Sequence, residues 1–204
     1  QTCDGMHRLN AIIQYGKPVA MWFAIGVENN SFKVIDSGSV RSGADTLKVS
    51  GSIYNNATAA GISMYFTLIN KFLTRVKMTN SEVLDIYQKN KSEWDNAAKF
   101  SSTIYAANKI LPQSIGTCLM FLFSQLNTID AKVFMTELNE GRNFTNNSIY
   151  LLRQKFIQES LSNAKTDAIQ KCYLAIKAWN AYRSGSSIKL LKFNSDLEQV
   201  PEAI

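Results

Sequence analysis

The sequence predicts an α+β protein: a short α/β segment over residues 1–55, followed by a mainly α-helical region over residues 56–204. Three observations lead there. A short helical pattern over residues 7–15 is followed by an unbroken apolar run over residues 19–25 (VAMWFAI), bounded by Pro18 and Gly26. An apolar run of that length between two breakers fits a buried strand. From about Asn56 onward, apolar residues recur at three- and four-residue steps, the spacing of one face of a helix.

The elements follow in order. Leu9, Ile12 and Ile13 share one face of the first helix; Gly16 stops it and Pro18 follows. The Ser- and Gly-rich stretch from Ile35 to Leu47 begins as loop and enters a helix near Ser42 or Gly43, with Asp45 in the first turn. Ile62, Tyr65, Phe66, Ile69, Phe72, Leu73 and Val76 mark the next helix. Thr79 and Glu82 form a capping-box pattern ahead of Val83, Leu84, Ile86 and Tyr87. Trp94, Ala97, Ala98, Ser101 and Tyr105 continue a further helix, and Pro112 fits the first turn of the one carrying Ile115, Leu119, Leu122 and Leu126. Residues 130–138, 149–157 and 164–182 read as helices, with a polar loop over 141–147. The tail after Gly185 reads as irregular, with a short extended piece around residues 188–193.

Composition narrows the class. Of 204 residues, 46% are hydrophobic and only three are proline, so the chain can bury a core rather than remain disordered. The most apolar stretch, residues 115–123, is far shorter than the roughly 20 residues a membrane span needs. Nothing at the start reads as a signal peptide. Cys3, Cys118 and Cys172 are odd in number and widely spaced, which points to reduced thiols in a cytoplasm. The chain opens at Gln1, directly before its most informative motif, and a preceding segment is expected. The formal charge of +6 favours an anionic partner such as nucleic acid or nucleotide, and equally describes an ordinary basic protein. Lys171, Lys177, Arg183, Lys189 and Lys192 follow one another with no acid between Asp167 and Asp196. That run suits phosphate contacts or a solvated helix face.

Two constellations carry chemistry. In Asp4-Gly5-Met6-His7-Arg8, Gly5 permits a tight turn, and the helix beginning near His7 turns its free N–H groups toward any anion at its start. His7 and Arg8 add donors there, and Asp4 can hold a metal or orient a hydroxyl. The same residues also read as a plain helix cap beside surface cations. In the second constellation, Asp36, Ser37, Gly38, Ser39, Arg41, Ser42 and Gly43 can form an anion nest, or simply a surface turn. His7 is the only histidine, which excludes zinc sites built on two or three histidines, and no cysteine pair has metal-ligand spacing.

Asp4-Gly5-Met6-His7-Arg8-Leu9, with Ala11, Ile12, Gly16, Pro18 and Val19 behind it, resembles the DGxHRL segment of ParB-like proteins. These belong to the phage and mobile-element branch of the ParB/sulfiredoxin-like superfamily. Ile35-Asp36-Ser37-Gly38, Arg41-Ser42, Asp45, Leu47 and Gly51 are similar to the IDxG…R(S/T)…D segment that follows the box there. Lys177-Ala178-Trp179-Asn180-Ala181-Tyr182, with Gly185 nearby, is similar to the AWNAW-type helix of the same phage group. The resemblance implies a small α/β fold with the box on a loop and helix start, binding nucleotide phosphates through Gly5, His7, Arg8, Ser37, Gly38 and Arg41. Met6 stands where sulfiredoxins carry cysteine, so their chemistry does not carry over. The CTP-binding arginine box of partition proteins is replaced by His7-Arg8. The version in ParB-like kinases of free amino acids matches best, and it implies Asp4 near a transferred phosphate.

The expectation is therefore a DNA-associated protein of a phage or mobile element, working in the host cytoplasm, with Lys171, Lys177, Arg183, Lys189 and Lys192 on DNA. The alternatives are a phosphotransferase using ATP or CTP with Mg2+, and an inactive interaction or inhibitor protein. No metal is expected from a protein-only cluster, no membrane partner is expected, and assembly into a homo-oligomer stays open.

Overall fold

In a computed structural model, which describes residues 5–28, 42–161, 166–194 and 198–204, the chain divides into two compact units, 1–42 and 43–204. Among the described residues all regular structure is helical, in nine helices with no strand. The expected α/β segment is therefore overturned: the protein is all-α over its described residues.

In the first unit, α1 (Met6–Tyr15) forms as its apolar spacing requires. Gly16 ends it in the left-handed conformation, its N–H donating to the Ile12 carbonyl. The run over residues 19–25 is not a strand. Trp22, Phe23 and Ile25 are exposed, and no neighbouring strand exists among the described residues to complete a hydrogen-bonded ladder. Apolar composition permits a strand, but only a paired edge satisfies its backbone.

The second unit holds the core. It contains α2 (Gly43–Val49), α3 (Asn55–Ile69), α4 (Asn80–Lys89), α5 (Lys91–Ala107), α6 (Gln113–Leu126), α7 (Thr128–Glu140), α8 (Asn147–Leu161) and α9 (Ala168–Arg183). The helix expected near Gly43 belongs here rather than with the N-terminal segment. It packs on α3 and α4, Leu47 is fully buried, and the Asn55 amide donates to the Ala44 carbonyl.

The apolar stretch of residues 115–123 becomes the centre of the fold. Ile115 to Phe121 are all buried on α6, which packs against α3, α5, α7 and α9. A helix apolar on every side must be covered on every side. Phe121 stacks face to face on Trp94 of α5, with centroids 3.7 Å apart. Phe123 stacks on Trp179 of α9 at 4.3 Å, with Phe134 of α7 edge-on to both rings. Small residues let neighbouring helices approach. A Cβ on Gly61 would lie 2.8 Å from Thr117 Cγ2, and one on Gly116 would lie 2.5 Å from Ser101 Oγ.

The expected capping box is present: Thr79 Oγ1 accepts from the Glu82 N–H, and the Glu82 carboxylate accepts from the Thr79 N–H at 2.7 Å. Pro112 occupies the N-cap position of α6, one residue ahead of the helix proper. The expected extended piece near residues 188–193 has no ladder. The Asn147 side chain instead donates to the Ile188 carbonyl at 2.7 Å and accepts from its N–H at 3.2 Å. Cys118 on α6 and Cys172 on α9 are buried free thiols. Burial, and then the Cys172 thiol, push the Cys118 thiol well above its ordinary value.

Candidate functional site

The first candidate site is the start of α1. Gly5 adopts φ 85°, a left-handed conformation that turns the chain sharply into the helix. Its carbonyl accepts from the Leu9 N–H at 3.0 Å. That leaves the N–H groups of Met6, His7 and Arg8 ahead of the first intrahelical bond. Gly5 is the N-cap residue and has no side chain of its own to cap with, and the first turn, Met6 to Leu9, carries no acid. His7 and Arg8 are both exposed on that turn. The sequence thus places two cationic or hydrogen-bonding side chains and a positive dipole end together. Asp4, the expected catalytic carboxylate, and Cys3 lie outside the described residues, as do Asp36, Ser37, Gly38 and Arg41 of the expected nest.

The basic run at the other end is distributed differently from a phosphate stripe. On a helix turning about 100° per residue, six-residue steps place successive side chains about 120° apart. Lys171, Lys177 and Arg183 on α9 therefore surround the helix instead of lining one face. Each meets an acid distant in sequence or from another element. Lys171 lies 3.7 Å from Glu159 of α8 and over the Phe156 ring. Lys177 pairs with Glu198 and donates to the Lys192 carbonyl. Arg183 pairs with Asp130 of α7 and lies over Trp179. These three cations tie α9 to its surroundings. Lys189 and Lys192 are exposed in the irregular tail.

The AWNAY segment of α9 also proves to be a clamp. The Trp179 indole N–H donates to the main-chain oxygen of Ile204 at 2.9 Å. Asn180 donates to the Glu202 carbonyl at 2.7 Å and accepts from the Ile204 N–H at 3.1 Å. Its side chains hold residues 202–204 against the helix, a role that a motif alone does not reveal.

Sequence reasoning passed over one further feature, a groove of about 440 Å³ between α5, α6 and α7. Ala97, Phe100 and Met120 form its apolar lining, and Asn96, Lys99, Gln125 and Lys132 its polar lining. The signal was faint. Asn96, Phe100 and Thr103 share a helical face with Glu93, and Thr128 and Lys132 lie one turn apart on α7, but such spacing is common on any solvated helix. Among the described residues, no group of three or more histidine, cysteine, aspartate or glutamate side chains is arranged to hold a metal. No described helix is long and apolar enough to cross a membrane.

Comparison with family models, with curated proteins and with solved structures returns no match.

Proposed function

We propose that this is a helical, DNA-associated protein that grips nucleic-acid phosphate through the start of α1, as its resemblance to the phage and mobile-element ParB-like proteins implies. The observation that carries the reading is the first turn of α1, which carries no acid, with Gly5 in the left-handed conformation and His7 and Arg8 exposed beside it. Backbone N–H groups, a helix dipole and a guanidinium together suit a phosphate oxygen. The net charge of +6 adds a long-range attraction toward a polyanion. Lys189 and Lys192 are the cations of the C-terminal run best placed to add contacts, because Lys171, Lys177 and Arg183 are already paired within the chain. The adjacent, unbridged Cys118 and Cys172 thiols support a reducing cytoplasm as its place of work.

Fluorescence anisotropy with a short labelled DNA duplex tests the reading at about 50 mM and about 200 mM salt. Binding is expected at the lower concentration and weakens as salt rises. Arg8→Ala weakens it across sequences and reduces the salt slope by about one. ATP and CTP, with and without Mg2+, serve as competitors and report whether a nucleotide takes the same turn. Absence of DNA binding at the lower salt removes the proposal, and an Arg8→Ala variant with unchanged affinity and salt slope removes the site.

A further inference from the structure

We infer that the groove between α5, α6 and α7 is a binding site for a small amphiphilic organic anion, one with an apolar body and a single anionic group. Its volume of about 440 Å³ lies within the range of pockets that take small organic ligands. Its lining divides by chemistry. Ala97 and Met120 are almost fully buried and Phe100 half-buried, giving an apolar floor for a ring or short chain. Around it stand Asn96, Lys99, Ser124, Gln125, Thr128 and Lys132.

The charge balance selects an anion. Lys99 and Lys132 face a single carboxylate, Glu93, and that carboxylate already accepts from Ser92 Oγ at 3.1 Å. Among the described residues neither ammonium has an acid within ion-pair distance. On α9, by contrast, Lys171, Lys177 and Arg183 are all paired. The Asn96 and Gln125 amides make no hydrogen bond to the described protein and supply directional donors and acceptors. A purely inorganic anion would leave the apolar floor uncovered, and a purely apolar ligand would leave two ammonium groups without a partner, so the groove fits a molecule that carries both features.

The probes are 8-anilino-1-naphthalenesulfonate, its uncharged relative N-phenyl-1-naphthylamine, and inorganic phosphate, titrated against the full chain by fluorescence or by competition. Saturable binding of the sulfonate is expected, with the uncharged relative and phosphate each at least tenfold weaker. The double variant Lys99→Glu/Lys132→Glu weakens the sulfonate at least tenfold, while Lys189→Glu/Lys192→Glu, whose cations lie outside the groove, leaves its affinity unchanged. Both lysine pairs are exposed, so the fold is expected to persist, and circular dichroism with thermal unfolding verifies it. No saturable binding of the sulfonate overturns the inference, as does equal affinity for the uncharged relative or equal weakening by the two double variants. A groove-independent DNA contact at α1 survives any of these results, so the two readings fail separately.

Discussion

At Gly141 the backbone lies at φ 76°, in the left-handed region, where α7 ends and its last carbonyls need partners. Arg153 of α8 supplies them. One guanidinium nitrogen donates to the Leu138 carbonyl at 2.5 Å and to the Asn139 carbonyl at 2.6 Å. Burial lowers the Arg153 pKa, yet a guanidinium stays charged, and a cation at a helix C-terminus is favourable. A Cβ at position 141 would collide with the Arg153 guanidinium. Gly141→Ala therefore strains the backbone and displaces the charged cap together, and the combined loss is expected to be about 3 kcal/mol. A urea titration reads this as a lower midpoint with an unchanged slope. A midpoint within error of the parent would show that Arg153 swings aside without loss. Nearby, the Glu137 carboxylate fixes the following loop by accepting from the Thr145 N–H and hydroxyl.

Between elements, Asp95 joins three parts of the second unit. It accepts from Ser52 Oγ in the turn after α2 at 3.1 Å, and both its oxygens accept from the Tyr87 hydroxyl of α4 at 3.0 Å. Tyr87 is fully buried, and its pKa is pushed up to about 12, chiefly by burial and further by Asp95. The folded state thus holds this proton more tightly than an unfolded chain, whose phenol ionises near 10. The stabilisation is complete below pH 10 and is lost as pH rises from 10 through about 12. Tyr87→Phe is expected to cost about 1 kcal/mol at neutral pH and to flatten the decline above pH 10. Denaturant midpoints across that range measure it, and an equally steep decline in the variant would refute the assignment. Most helices at this scale were legible because their signals are local. The Thr79–Glu82 box, Asp45 near the start of α2, and the three- and four-residue spacing on α3 and α5 each act within one or two turns, although α3 ends at Ile69 and leaves the expected Phe72, Leu73 and Val76 outside the helix. Residues 19–25 were misread because a short apolar run looks alike in a strand or elsewhere, and the deciding factor, a partner edge, lies outside the run. The pairing of Lys171, Lys177 and Arg183 was illegible for the same reason: Glu159, Glu198 and Asp130 meet them only through the fold.

Across the whole molecule, apolar burial is concentrated in one place. The first buried hydrophobic residue along the described chain is Leu47, and the core extends from there through α6 and its neighbours to Leu191. No described residue of the unit ending at Ser42 is buried, and α1 buries none of its side chains. Burial of apolar surface is the dominant favourable term in folding. The two ring stacks between helices, Trp94 on Phe121 and Phe123 on Trp179, also lie entirely within 43–204. Residues 43–204 are therefore expected to fold without residues 1–42. Their thermal midpoint should lie within about 3 °C of the whole chain's, because a difference of 1 kcal/mol corresponds to only about 2–4 °C in a domain of this size. Scanning calorimetry of the whole chain beside the 43–204 fragment makes the comparison. A fragment that melts without cooperativity, or more than about 10 °C lower, would mean that the N-terminal unit contributes to the core's stability. Loss of DNA binding in a fragment that remains folded would separate the two jobs, stability in the second unit and phosphate capture at the start of α1.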